Sequence, residues 1–225
     1  MKHIVVLSGA GVSAESGLKT FRDADGLWEG HNVMDVATPE GFAKNPELVL
    51  TFYNERRKQL LNAKPNSAHY DLAALEKQYK VTIITQNVDD LHERAGSTNV
   101  LHLHGELLKA RSVDNHEILP WDTDIKLGDL CAKGHQIRPH IVWFGEAVPM
   151  IDPAIDVCKT ADILIIVGTS MQVYPAAGLK DYVPDGTPIF YIDPNPAKIY
   201  DKHINTIKEK ASTGMKTVIK ALSSQ

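Results

Sequence analysis

The sequence predicts an α/β protein: a doubly wound parallel sheet carrying a small inserted lobe. Three observations point there. Four short apolar runs, at 4–7, 81–84, 163–167 and 189–192, are rich in β-branched residues and uninterrupted by charge, as strands buried on both faces must be. Helix-like segments separate them, clearest at 46–63, 69–78, 174–181 and 215–222, and strands alternating with helices build parallel sheets. Each run stops in small or polar residues: Ser8-Gly9-Ala10-Gly11, Thr85-Gln86-Asn87, Gly168-Thr169-Ser170 and Asp193-Pro194-Asn195. Such strand ends are where open α/β sheets bind ligands.

The segment 105–140 breaks that rhythm. It carries Asp114, Asn115, His116, Pro120, Asp122, Asp124 and Gly134 with no long periodic run, and is expected to be irregular. With residues 31–63 it would form the small lobe. The larger part of a single domain spanning 1–225 would then comprise 1–30, 64–104 and 141–225.

Composition narrows the function. The 225 residues are 43% hydrophobic and 23% charged, a globular balance. Twenty-four basic side chains against 28 acidic ones give a net charge of −4, which disfavours nucleic acid as a partner. Cys131 and Cys158 are too few for a disulfide framework and fit a reducing compartment. The apolar stretch after Met1 is too short for a secretory leader, and no run is long enough to cross a bilayer. A cytoplasmic location without a membrane partner is expected.

Gly9-Ala10-Gly11-Val12-Ser13-Ala14 matches G-x-G-x-x-A directly behind the first strand. Glycines there let backbone N–H groups approach a pyrophosphate. By itself the match equally describes an ordinary glycine turn. A dehydrogenase loop would be followed by a second strand and an acidic residue about 20 positions on. Here the next strand waits until Val81, and Asp25-Gly26-Leu27-Trp28 has no strand character. A plain dehydrogenase is thereby disfavoured.

Longer blocks are more specific. Gly9-Ala10-Gly11-Val12-Ser13-Ala14-Glu15-Ser16-Gly17, with Phe21-Arg22 and Asp25-Gly26-Leu27-Trp28, resembles the first signature of the sirtuins. So do Thr85-Gln86-Asn87-Val88-Asp89-Asp90-Leu91-His92 with Ala95-Gly96, and Leu103-His104-Gly105-Glu106-Leu107. Arg138-Pro139-His140-Ile141-Val142-Trp143-Phe144-Gly145-Glu146 and Gly168-Thr169-Ser170 follow in family order. The resemblance implies a Rossmann-like fold and an NAD-dependent protein lysine deacylase. Such enzymes transfer the acyl group from lysine to ADP-ribose and release nicotinamide.

The resemblance also implies roles. Gly9 to Trp28, including Thr20, would surround NAD, with Ala10 and the Phe21-Arg22 segment near the reacting ribose. Gln86, Asn87, Val88 and Asp89 would hold that ribose and the carboxamide, with Asn87 also catalytic. Gly168, Thr169 and Ser170 would meet phosphate and the adenosine side, completed by Asp193, Pro194, Asn195 and Ala211. His104 and His102 share one face of an alternating run, which does not separate them. The family's base directly precedes the glycine, so His104 would take a ribose hydroxyl proton and His102 would support it. Lys19 stands where the family usually has proline, and Asp193 where many relatives have asparagine.

On a helix at 46–63, Val49, Phe52, Tyr53 and Leu60 form one apolar stripe. Arg56 falls inside it, while Asn54, Glu55 and Lys58 point elsewhere. A guanidinium among apolar neighbours is costly unless paired with an anion. From the residues alone, an internal ion pair or a snorkelling stem is the favoured reading. Tyr53 and Arg56, at i and i+3, resemble the Y-x-x-R pair of class III sirtuins, which receives the distal carboxylate of succinyl- or malonyl-lysine. Desuccinylase and demalonylase activity on protein lysines is thus implied, with acetyl also removed. Mainly deacetylase, ADP-ribosyltransferase or non-catalytic sensor readings remain as alternatives. Val142, Trp143, Phe144, Gly145 and Glu146 resemble the segment that pairs with substrate backbone as an added strand, although a buried strand would suit Val142 and Phe144 equally. Most sirtuins place four zinc-binding cysteines before the R-P-H block. Here Cys131 stands alone, and His116, Cys131 and His135 would offer three ligands without a Cys-x-x-Cys pair. A lobe held by packing, without zinc, is expected.

Overall fold

The computed structural model describes residues 1–19, 27–114, 116–198 and 203–223. It opens with strand β1 (His3–Ser8) and a single-turn helix α1 (Ala10–Ala14). A hairpin of β2 (Leu27–Trp28) and β3 (His31–Asn32) follows. Leu27–Trp28 thus does pair, against expectation; two residues are too few to leave a periodic signal. Helices α2 (Val33–Val36), α3 (Pro39–Lys44), α4 (Pro46–Asn62) and α5 (Ser67–Leu75) lead to β4 (Lys80–Thr85). After α6 (Leu91–Arg94) come β5 (Val100–His102), β6 (Gly105–Ser112), β7 (Ile118–Pro120) and β8 (Ile137–Ile141). Helix α7 (Ile151–Cys158), β9 (Ile163–Val167), β10 (Ile189–Ile192), β11 (Ile204–Ile207) and α8 (Ala211–Leu222) complete the fold.

Six strands form one parallel sheet in the order β11-β10-β9-β1-β4-β5. The chain winds outward from β1 through β4 to β5, then crosses to β9 and winds the other way. That is the Rossmann-like, doubly wound order, with its switch point between β1 and β9. The four apolar runs are four of these strands, and β1, β9 and β10 are buried along their whole lengths. Ile4, Val6, Ile165 and Ile192 face α5 and α8, while Val5, Leu7, Leu164 and Tyr191 face α7. The two strands without a continuous apolar run, β5 and β11, are the sheet edges.

The segment 105–140 corrects the expectation of irregularity: β7-β6-β8 make a three-stranded antiparallel sheet. Its alternation was hidden by a register shift between Glu106 and Ala110, which moves the buried set from Gly105 and Leu107 to Ala110 and Ser112. A bulge of this kind changes the phase of a period-two pattern midway. The helix expected at 174–181 is instead a continuous 3₁₀ segment, Ala176–Tyr182, which contains Gly178.

Helix α4 bridges the sheets. Asn45 caps it, its side chain accepting from the Leu48 N–H, and Pro46 occupies the first turn. Val49, Phe52, Tyr53 and Leu60 are buried together as the stripe required. Its neighbouring Arg57 is also buried: Nε donates to the Leu107 carbonyl at 3.0 Å and Nη1 to Asn54 Oδ1 at 2.8 Å. Asn54 in turn exchanges two hydrogen bonds with the backbone of Ile125. These contacts fasten the antiparallel sheet and its loop to α4. Cys131 sits in the same small core with Leu50, Ala110, Ile125 and Ile137, and its thiol donates to Ser112 Oγ at 3.6 Å.

Candidate active site

A cleft of about 730 Å³ opens at the carboxyl ends of β1, β4, β9 and β10, beside the switch point. Its size lies within the ~300–1,000 Å³ span of small-molecule sites. One wall is built of two loops in backbone contact. The Gly11 N–H donates to the Gly168 carbonyl at 2.8 Å, and the Gly9 N–H to that of Val167 at 3.1 Å. A Cβ at Gly11 would stand 2.8 Å from Gly168 Cα; one at Gly168, whose φ is +64°, would stand 2.2 Å from the Val12 nitrogen. Only glycine permits that approach.

Beneath the loops lies a buried polar floor. Ser13 Oγ donates to Asp89 Oδ2 at 2.9 Å and accepts from Asn87 Nδ2 at 3.1 Å. Burial raises the Asp89 pKa, against hydrogen bonds from the Leu91 N–H and Ser13. His69 Nδ1 accepts from the Asn66 N–H at 3.2 Å, so its proton sits on Nε2, 3.4 Å from Ser13 Oγ. His92 Nε2 meets Ser8 Oγ at 2.9 Å, and that hydroxyl donates onward to Thr85 Oγ1. Gln86 Nε2 donates to Thr169 Oγ1 at 3.1 Å, tying the end of β4 to that of β9.

The two histidines that alternation could not separate have different partners. Both nitrogens of His102 face acceptors: Nδ1 the Asn87 carbonyl at 3.2 Å, Nε2 the Glu93 carboxylate at 2.7 Å. Both must therefore carry protons. Burial acts against that charge, but Glu93 outweighs it and raises the His102 pKa. His104 Nδ1 lies 3.0 Å from the Gln86 carbonyl. A carbonyl only accepts, so the proton is on Nδ1 and Nε2 keeps its lone pair. Burial lowers the pKa, favouring the neutral ring. His104 lines the cleft, and its carbonyl accepts from the Val142 N–H at 2.9 Å. It therefore joins the sheet end, through Gln86, to the segment after β8.

That segment folds as a turn rather than a buried strand. Glu146 accepts from Trp143 N–H, Arg111 and Arg138, at 2.8, 2.7 and 2.6 Å. Phe144 N–H donates to the Ala37 carbonyl, and the Phe144 ring is exposed. Trp143 Nε1 donates to the buried Tyr53 hydroxyl at 3.0 Å. One turn along α4, the Arg56 guanidinium lies over the Trp28 ring, 4.3 Å from its centroid. Arg56 Nε and Nη1 are buried without a hydrogen-bond partner among the described residues. Its pKa is lowered by burial, opposed by Tyr53, Glu29 and Asp89.

Nearly all the residues singled out from sequence line this one cleft. Gly9, Ala10, Gly11, Ser13, Ala14, Glu15 and Trp28 do so, as do Gln86, Asn87, Val88, Asp89 and His104. So do Gly168, Thr169, Ser170, Asp193, Pro194, Asn195 and Ala211, and the distal set Tyr53, Arg56 and Val142 to Glu146. Glu15 also grips the start of α8 through Ser212, at 2.7 and 3.0 Å. Ser16 and Gly17 lie outside the lining; Ser16 Oγ accepts from Asn66. Thr20, Phe21 and Arg22, with Asp25 and Gly26, lie outside the described residues. Sequence reasoning missed Tyr174 and Lys210 in the wall, and the buried pair His69 and His92 under it; Lys19, singled out only as a departure from the family, also lines the wall. His69 carried a usable signal: three residues after Asn66, it closes a capping box at the start of α5. Among the described residues no three His, Cys, Asp or Glu side chains converge as a metal site. His135 instead faces Asp114 at 3.3 Å.

The order of strands and the cleft at their switch point define a Rossmann-like α/β protein with a small antiparallel lobe. Residues 9–175 match the model of the Sir2 family. The chain is 56% identical over 224 residues to an NAD-dependent protein deacylase of Helicobacter pylori, covering 99% of this chain and 98% of that one. It is 53% identical to the protein of the same name in Bacteroides thetaiotaomicron, covering 96% and 95%. A crystal structure of a Sir2 homologue in complex with NAD superposes with a TM-score of 0.89 at 41% identity, covering 99% of this chain and 90% of that one. The protein belongs to the Sir2 family, the sirtuins, and bacterial deacylases among its relatives fit the class III resemblance.

Proposed function

We propose that this protein is an NAD-dependent protein lysine deacylase with a preference for acidic acyl groups, removing succinyl and malonyl and also acetyl. The observation that carries it is one continuous cleft lined by the glycine loops, by His104, and by the buried guanidinium of Arg56. NAD fits the near end. The two glycine loops, packed backbone to backbone, line that end of the cleft, and the floor offers the carboxamide of Asn87 and the carboxylate of Asp89 to hydroxyl and amide groups. In this reading Gly9–Ala14 and Gly168–Ser170 hold the phosphates, and Asp193, Pro194, Asn195 and Ala211 the adenosine end. Glu15, Ser16, Gly17, Thr20, Phe21, Arg22 and Trp28 are assigned to the cofactor by the family resemblance, and Gln86, Asn87, Val88 and Asp89 hold the reacting ribose. When bound, NAD supplies the ribose carbon that gives up nicotinamide and the ADP-ribose that accepts the acyl group.

His104 Nε2 takes the proton of a ribose hydroxyl, because the Gln86 carbonyl holds the ring's own proton on Nδ1 and burial keeps the ring neutral. His102, committed to Glu93 and the Asn87 carbonyl, steadies Asn87 instead. Tyr53 and Arg56 take the distal carboxylate, and Val142, Trp143, Phe144, Gly145 and Glu146 hold the peptide backbone of an acylated protein. Residues 1–30, 64–104 and 141–225 serve the cofactor; 31–63 and 105–140 form a lobe that works without zinc. Neither nucleic acid nor membrane takes part, and the protein acts in the cytoplasm. Nicotinamide release from acetyl-, malonyl- and succinyl-lysine peptides with NAD tests the reading. Turnover of the acidic acyl peptides above acetyl supports it; acetyl alone, or no turnover at all, overturns it.

A further inference from the structure

Beside Arg56, next to the cleft lining, stands a carboxylate of the protein's own. Glu29 Oε1 lies 3.9 Å from Arg56 Nη1. That is too long for a hydrogen bond, and Oε1, like Arg56 Nε and Nη1, is buried without a hydrogen-bond partner among the described residues. Glu29 is held back by its other oxygen: Lys19 Nζ donates to Oε2 at 2.9 Å. The backbone gives a second, independent sign. Glu29 and Gly30 are the two loop residues of the β2–β3 hairpin, at φ of +52° and +81°. Positive φ at both central positions marks a type I′ turn, which favours Asn, Asp or Gly at the first. Glutamate there is strained without a local return. Its longer side chain is what reaches Arg56.

We propose that Glu29 is a specificity-determining residue: the resident carboxylate of the acyl pocket, which neutralises Arg56 from a distance and must be out-competed by the carboxylate of an acidic acyl chain. This rests on the acidic-acyl reading of Arg56. Glu29 keeps the buried guanidinium from being wholly uncompensated. Drawn aside by Lys19, it leaves the hydrogen-bonding edge of Arg56, Nε and Nη1, buried and unbonded among the described residues. An entering succinyl or malonyl group gains that edge but meets Glu29 as a like charge; an acetyl group meets neither. Glu29 thus lowers the acid-over-acetyl preference below what Arg56 alone would give.

The test compares Glu29→Gln and Glu29→Asn with the unaltered protein, using matched succinyl and acetyl peptides. Asparagine suits the turn, so it separates loss of charge from loss of folding. Both variants should raise the succinyl-to-acetyl ratio of kcat/KM by roughly three- to tenfold, through a lower succinyl KM. In an Arg56→Met background, where competition for the guanidinium is gone and only the like-charge repulsion is left to relieve, both should raise the ratio less than they do in the unaltered protein. A fall in both activities with a lower Tm in both variants would make Glu29 a structural counter-ion and overturn the inference; so would an unchanged ratio. Arg56→Met read alone keeps the two ideas apart. If it leaves succinyl turnover intact, the acidic-acyl reading itself fails. If it lowers succinyl turnover while the Glu29 variants do nothing, only the role of Glu29 fails.

Discussion

Acidification between pH 6.5 and 5 is expected to destabilise this fold through His69 and His92, which lie fully buried under the cleft. Desolvation brings the His69 pKa down to about 4. It brings His92 down to about 3, helped by His69 and His102. In the unfolded chain both imidazoles take up protons as pH falls through ~6.5. The folded state refuses them until far lower pH, so the unfolded state binds more protons and stability falls with pH. At pH 5 the gap is ~1.5 pH units for each ring, about 2 kcal/mol apiece and roughly 4 for the pair. Against a total of ~5–15 kcal/mol that is a large share. His102 does not offset it: its raised pKa gives a contribution already complete by pH 6.5. His3, His104 and His140, also lowered by burial, steepen the slope in the same direction. Urea midpoints at pH 7, 6 and 5 would therefore be measured for the unaltered protein and for His69→Gln and His92→Gln, each expected to remove its own part of the slope. A proton on His69 Nδ1 would also face the Asn66 N–H it now accepts from. Amide exchange at the start of α5 should accelerate first. A slope unchanged in both variants would refute the reasoning.

Three further outcomes follow from the site. His104→Ala should cut nicotinamide release by ~10²–10⁴ while ADP-ribose still binds; His102→Ala should cost less, and the reverse ranking would overturn the assignment. Gly168→Ala should lower both Tm and ADP-ribose affinity, because the added Cβ meets the Val12 nitrogen at 2.2 Å. Gly17→Ala, with nothing within 4 Å of its new Cβ, should show only the strain of a positive φ, ~1–2 kcal/mol; equal effects in the two would sink the cradle. Purified protein should carry far less than one zinc per chain, with a Tm indifferent to chelator, and stoichiometric zinc would contradict the packed lobe.

What the sequence disclosed follows from where its periodicities are clean. Strands β1, β4, β9 and β10 sit inside the sheet with neighbours on both sides, so nearly every position is apolar and the runs read directly. The edges β5 and β11 have no such requirement, and β6 changes phase at its register shift. In the site, the glycine turns, Gln86, Asn87, Asp89 and His104 were legible because strand ends and block order identify them. His69 and His92 were not: buried neutral histidines have no spacing of their own, and only the hydroxyls and N–H groups around them define their role.

Helix α4 shows the limit most sharply. Arg56 and Arg57 are adjacent, and the stripe marks Arg56 as the anomaly, yet Arg57 is the more buried. Its partners, the Leu107 carbonyl and Asn54, come from 50 residues away and from one turn back, and the first of these is invisible to any helical wheel. The difference between the two is satisfaction. Arg57 bonds within the fold through Nε and Nη1 and leaves only Nη2 buried without a partner, whereas Arg56 keeps both Nε and Nη1 unbonded among the described residues, beside a carboxylate held just out of reach. A buried cation left in that state costs stability, and folds tolerate such costs chiefly where a site needs them. The same holds of the glutamate in the left-handed turn opposite. Two local rules broken within one contact distance mark the acyl end of the cleft more specifically than either does alone.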